Sequence, residues 1–188
     1  MVKVIGLCGS MGAGKDVVAK YLVSNYGYTQ FTIGDIVREE MTKKGIEITR
    51  EKSDAFSEEM RSKHGQDYFI KQCVEKIKSG KYKNAVMDGI RLPSDTIVME
   101  KGFGKDYVLF KVDALPLIRF ERLQSRGRSD LPKTLEQFKN QEKVHNKEFK
   151  LDVTFKKAAE TIDNSGTLEA LYENIKKVAK NPKYKDWF

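Results

Sequence analysis

Three glycines at fixed intervals lead into a lysine near the start of the chain. In GLCGSMGAGKDVV, residues 6–18, Gly9, Gly12 and Gly14 precede Lys15, and Asp16 follows it. Glycines in this spacing let the backbone curl until successive N–H groups point inward, and a helix starting near Gly14 adds the positive end of its dipole. That makes a phosphate cradle formed by Gly9, Met11, Gly12, Ala13, Gly14, Lys15, Asp16 and Val17, with the Lys15 ammonium reaching the outer phosphates of a nucleotide. Ser or Thr ordinarily follows such a lysine. Asp16 in that place is either a hard oxygen ligand for magnesium, directly or through water, or a residue that only caps the helix.

Two further stretches carry charge at strand ends. IGDIVREE, residues 33–40, contains Asp35 and Arg38, and MDGIRLP, residues 87–93, contains Asp88 and Arg91. Asp88 closes an apolar run, where a carboxylate holds magnesium through its water shell or accepts a hydrogen bond from the glycine loop. In IRFERLQSRGRSD, Arg119, Arg122 and Arg126 fall at i, i+3 and i+7 on one helical face, and Arg128 follows Gly127. Leu117, Phe120 and Leu123 are expected to face the sheet, and Arg119 is the one of these arginines expected to point to solvent. His64 and His145 lie in polar helical stretches and read as surface residues, with no nucleophile arrangement around them.

The elements that must position these residues alternate between period 2 and period 3.6. Strands are expected at residues 2–8, 28–33, 84–88, 107–112 and 160–163. Helices are expected at 14–26, across 34–80 with breaks near Gly45, Gly65 and Gly80, and at 95–101, 115–126, 132–150 and 166–180. Such alternation argues for a parallel sheet covered on both faces, with ligands beyond the carboxyl ends of its strands. The glycine loop, IGDIVR and MDGIR all follow strands at that edge. The last eight residues, NPKYKDWF, read as a loosely docked basic and aromatic tail.

On these motifs the sequence resembles the nucleoside monophosphate kinase family, adenylate kinase in particular. Gly34, Asp35 and Arg38 match that family's Gly-Asp-x-x-Arg element. Asp88, Gly89 and Arg91 are similar to its second arginine element, although Arg91 sits one place early and the intervening proline is missing. VDALPLIRFERLQSRGR and IDNSGTLEALYENI also resemble dephospho-coenzyme A kinases, where the loop corresponding to Asn164–Thr167 borders the adenine ring. The stretch from GDIVREEMTKKGIEITRE to DGIRLPSD is similar to an archaeal-type group of kinases related to both branches.

The resemblance implies a three-layer P-loop NTPase fold of class α/β. Its five-stranded parallel sheet would be flanked by helices in a single domain over 1–188, with a helical acceptor-binding insert at about 34–80 and a lid at about 125–150. It implies phosphoryl transfer from ATP, with Mg2+ as cofactor, to a small phosphate-bearing acceptor. A nucleoside or deoxynucleoside monophosphate is the first choice and dephospho-coenzyme A the alternative. Arg38 and Arg91 would hold the acceptor's phosphate, with Asp35 bracing the Arg38 turn or, for a hydroxyl acceptor, serving as base. Arg122, Arg126 and Arg128 would close over the phosphates, and Asp16 and Asp88 would hold the metal.

Composition bounds the alternatives. The chain has 188 residues, 39% hydrophobic and 33% charged, with a net charge of +8. No apolar run approaches a membrane span and the short N-terminal one is no signal peptide, so a cytoplasmic location is expected. Cys8 and Cys73 form no disulfide framework or metal-ligand spacing. A nucleotide-dependent nucleic-acid-binding protein is the competing class, but no stacking motif of RNA-binding type accompanies the charge. The oligomeric state is not readable.

Overall fold

The computed structural model describes residues 2–125 and 132–188. Five strands, β1 (Lys3–Cys8), β2 (Thr29–Thr32), β3 (Asn84–Ile90), β4 (Tyr107–Asp113) and β5 (Glu160–Asp163), form one sheet in the order β2-β3-β1-β4-β5. Every pairing is parallel. The helices are α1 (Lys15–Tyr26), α2 (Ile33–Lys43), α3 (Arg50–His64), α4 (Tyr68–Ser79), α5 (Pro93–Phe103), α6 (Pro116–Gln124), α7 (Leu135–Phe149), α8 (Leu151–Phe155) and α9 (Leu168–Lys180).

Alternation along the strands sends side chains to two separate cores. Val4 and Cys8 of β1, with Ala85 and Met87 of β3, pack beneath Met41, Phe56, Phe69, Cys73 and Met99. Ile5 and Leu7, with Val86, Phe110 and Ile162, pack against Val18, Leu22, Leu171 and Ile175 on the other face. Burial pushes the Cys8 and Cys73 thiols up to about 12, so both act as small core residues. β1 lies between β3 and β4, where the strand order reverses, and the crevice beyond its carboxyl end is the expected ligand position.

Two expectations need correction here. The tail is firmly docked: Tyr184 is 1% exposed, its hydroxyl donates to the Ala159 carbonyl at 3.1 Å, and the Tyr28 hydroxyl donates to the Trp187 carbonyl. Phe188 meets Tyr26 edge to face at 5.0 Å. Helix α6 is also rotated from its expected register. Leu117 is 50% exposed, while Arg119 and Leu123, four residues apart, are the buried pair.

Candidate active site

The loop between β1 and α1 is shaped by what surrounds it. Gly9, Gly12 and Gly14 have φ of 151°, 79° and 89°, conformations that favour glycine. A Cβ on Gly9 would stand 2.2 Å from the Val112 carbonyl oxygen, and one on Gly14 2.2 Å from Asn164 Nδ2. The end of β4 and the loop after β5 therefore hold the turn as closely as its own dihedrals do. Gly14 is the N-cap of α1 and supplies no side-chain acceptor, so the positive end of the helix faces the crevice without a built-in cap. Two of the expected phosphate donors are engaged within the loop: Ala13 N–H donates to the Ser10 carbonyl at 3.2 Å and Val17 N–H to the Gly14 carbonyl at 3.1 Å.

Lys15 folds over this turn. Its ammonium donates to the Gly9 carbonyl at 2.9 Å and to the Ser10 carbonyl at 3.2 Å. Burial lowers its pKa, Asp88 pulls it back up, and Arg91 lowers it again. Asp88 on β3 is level with Leu7 of β1 and Thr32 of β2. Its own pKa is raised by burial, lowered by Lys15 and raised by Asp16. The glycine loop, Asp16, Asp88 and Arg91 thus share one electrostatic neighbourhood at the carboxyl edge.

On the far side of Asp88, Thr32 caps the start of α2. The Thr32 hydroxyl oxygen accepts from Asp35 N–H at 3.0 Å, and the same hydroxyl donates to Asp35 Oδ2 at 2.8 Å. Asp35 Oδ1 accepts from Arg38 Nη2 at 2.6 Å. Burial raises the Asp35 pKa, but the bonds from Thr32 and Arg38 outweigh it and hold the carboxyl below its ordinary value. Arg91 is exposed, with Cζ 5.9 Å from the Phe149 ring centroid. Its backbone is pinned twice, by Arg91 N–H donating to Asp95 Oδ2 at 3.1 Å and by Thr154 Oγ1 donating to its carbonyl at 2.8 Å.

The arginines of α6 separate. Arg122 Nη2 reaches Asn164 Oδ1 at 3.4 Å and the Gly166 carbonyl at 3.5 Å, on the side of the sheet away from Arg38. Its Nη1 is buried without a hydrogen-bond partner among the described residues. Arg126 and Arg128 lie outside the described residues. Arg119, expected to face solvent, is 5% exposed. Its Nε donates to the Ala114 carbonyl at 2.8 Å, its guanidinium pairs with Glu142 of α7, and Nη1 reaches the Met11 carbonyl at 3.4 Å. It therefore ties α6 and α7 to the glycine loop.

Asn164 is a second residue whose role in the loop the motif left out. Its Nδ2 donates to the Ala13 carbonyl at 2.8 Å, and only its place in the closing segment pointed toward the site. A groove of about 380 Å³ between α4 and α5, lined in part by Lys71, Lys78, Ile97 and Lys101, shares none of these residues.

A family model described as AAA domain matches residues 5–145. A UPF0200/UPF0201 protein of Archaeoglobus fulgidus is 32% identical over 186 residues, 96% of this chain and 57% of the relative. The chain belongs to the AAA-domain proteins of the UPF0200 family. A UPF0200 protein of Thermococcus onnurineus is 34% identical over 142 residues, 74% of this chain and 76% of the relative. The chain thus spans little more than half the length of the Archaeoglobus relative and about three quarters of the Thermococcus one.

Among solved structures, shikimate kinase from Acinetobacter baumannii in complex with shikimate superposes with a TM-score of 0.59 at 14% identity. That match covers 95% of this chain and 92% of the other. A gluconokinase from Sinorhizobium meliloti gives 0.57 at 12%, covering 97% of each. The fold is that of a P-loop NTPase, and its structural neighbours include small-molecule kinases. Among the described residues no helix is long and apolar enough to cross a membrane.

Proposed function

We propose that this chain is an ATP-dependent phosphotransferase that moves the γ-phosphoryl group of ATP to a small phosphate-bearing acceptor, in first place a nucleoside or deoxynucleoside monophosphate. The observation that carries this reading is the position of Lys15. It sits on a phosphate loop at the head of α1 and within the field of both Asp88 and Arg91. A cation for the donor's phosphates and a cation for the acceptor's phosphate thereby flank a single carboxylate.

In this reading the loop N–H groups and the end of α1 hold the donor's outer phosphates. Lys15 exchanges the Gly9 and Ser10 carbonyls for a phosphate oxygen, and its charge stabilises the transferring group. Arg38 and Arg91 hold the acceptor, with α2–α4 as the acceptor-binding insert. Arg122 at the end of α6, with Arg126 and Arg128 in the lid at about 125–150, completes the charge, and the lid excludes water.

Asp88 and Asp16 fit magnesium. They are close enough to raise the pKa of Asp88, and no cluster of three or more metal-ligating side chains occurs among the described residues. One or two carboxylates completed by phosphates and water is the pattern of a nucleotide-bound Mg2+. Bound there, the ion would neutralise charge on the phosphates. A cytoplasmic location fits a user of ATP.

A monophosphate attacks with an oxygen that is already anionic, so it needs no general base. Asp35 suits that case, because Thr32 and Arg38 engage both of its oxygens. A hydroxyl acceptor is the second reading, either dephospho-coenzyme A or an acid of the kind named for the shikimate kinase and gluconokinase neighbours. It requires Asp35 or Asp88 to take a proton. ATP turnover against nucleoside monophosphates, deoxynucleoside monophosphates, dephospho-coenzyme A, shikimate and gluconate tests both. Turnover with a monophosphate is the expected result, and turnover confined to a hydroxyl acceptor reverses the order.

A further inference from the structure

Arg61 belongs to none of the motifs above. It stands in the last turn of α3, with Cζ 5.6 Å from the Phe69 ring centroid, and that packing fixes the guanidinium. The side chain is half-buried, and its Nε is wholly buried without a hydrogen-bond partner among the described residues. No ion pair of Arg61 occurs among them either. A guanidinium removed from water in this way costs free energy unless a further group completes it, and a buried donor left open calls for an explanation.

The charges within its reach are Asp95 and Arg91. Burial lowers the Arg61 pKa, Asp95 raises it and Arg91 lowers it again. Asp95 is itself engaged, since its Oδ2 accepts from the N–H groups of Arg91 and Leu92 at 3.1 and 2.9 Å. Arg38 is matched by Asp35. The Arg61 side chain has neither a hydrogen bond nor an ion pair among the described residues, and Arg91 repels it. An anion placed between Arg61 and Arg91 would relieve the repulsion and pair a guanidinium whose outer nitrogens have no partner among the described residues.

We propose that Arg61 is an acceptor-side anion ligand, gripping with Arg91 the phosphate of the acceptor. The assignment rests on the phosphotransferase reading and adds to it a residue from α3, so that the acceptor's phosphate is held from the insert as well as from the end of β3. A planar fork on a fixed stem suits a phosphate dianion better than a single charge on a flexible chain does.

The test uses the full chain saturated with ADP and magnesium, which occupies the glycine loop. It is titrated calorimetrically with AMP, CMP, GMP and UMP and with their deoxy forms. Wild type, Arg61→Gln and Arg61→Lys are compared, and each is checked by thermal melting and by its ADP affinity. The expected result is at least a tenfold weaker affinity for the bound monophosphate in Arg61→Gln, partial recovery in Arg61→Lys, and unchanged ADP affinity. Monophosphate affinity equal in all three proteins overturns the role of Arg61 and leaves the kinase reading standing. Parallel loss of ADP affinity, monophosphate affinity and melting temperature makes Arg61 a structural counter-ion of Asp95, and also overturns it. If no monophosphate binds wild type, the monophosphate reading falls and takes the Arg61 assignment with it.

Discussion

The two sides of Asp88 are built differently. On the glycine-loop side the geometry is set by backbone: three glycines at positive φ, a carbonyl from β4, and the Asn164 amide pressed against Gly14. On the α2 side it is set by side chains, with Arg38 tied to Asp35 and both about half-exposed. The backbone of the first is held in shape before any ligand arrives, although Lys15 and the Ala13 and Val17 N–H groups must leave their partners within the loop to meet one. The second is held by a partly solvated ion pair of the kind that contributes little to stability and exchanges readily. Under the proposed phosphotransferase reading, a fixed donor site beside an adjustable acceptor site would suit transfer to a choice of acceptors.

The largest expected effect removes the lysine of the rigid side. Lys15→Ala should lower turnover by a factor corresponding to ~3–4 kcal/mol of lost transition-state stabilisation, with the melting temperature little changed. Full turnover in a folded Lys15→Ala protein would end the comparison, because the loop would then hold nothing that reacts.

Next comes the clamp itself. Gly14→Ala should destabilise the fold by about 2 kcal/mol, part from the left-handed backbone and part from the contact at Asn164 Nδ2. In a double-mutant cycle read by chemical denaturation, Asn164→Ala should recover the contact part and leave the backbone part. Strict additivity of the two would show that Asn164 does not hold the loop.

The smallest effects belong to the adjustable side. Arg38→Ala should raise the acceptor's KM by roughly tenfold with the KM for ATP unchanged, the signature of binding lost equally in ground and transition states. Asp35→Asn should retain most of the turnover. Because the Asp35 carboxyl is held below its ordinary pKa by Thr32 and Arg38 against burial, it stabilises the fold above the ordinary carboxylate range. That contribution disappears as pH falls through its lowered folded value. The term should be well under ~1 kcal/mol, since the pair is half-exposed, and should vanish from the acid limb of the melting-temperature profile in Asp35→Asn. A collapse of turnover in Asp35→Asn with acceptor binding intact would instead make this carboxylate a base.

The rigid side was also the more legible in sequence. Glycine spacing and strand alternation are local signals, and the order of all five strands along the chain followed from them. What escaped depended on partners far along the chain. Arg119 turned inward because the Ala114 carbonyl, Met11 and Glu142 accept from it, and a spacing of i, i+3 and i+7 cannot tell which side of a helix finds such acceptors. Arg61 gave no periodic signal at all. The tail reads as basic, aromatic and loosely docked, yet its three aromatic residues find Tyr28, Phe110 and Tyr26, each more than seventy residues away.

That docked tail also provides an optical probe. The chain has a single tryptophan, Trp187, whose ring lies 4.7 Å from the Lys3 ammonium at the start of β1, at the opposite end of the strands from Lys15 and Asp88. Its fluorescence is therefore native to the protein and comes from the edge of the sheet away from the glycine loop. A change in its emission would report whether the last turn is seated on the sheet, so loosening of the C-terminus can be followed in an unlabelled sample independently of events at the glycine loop.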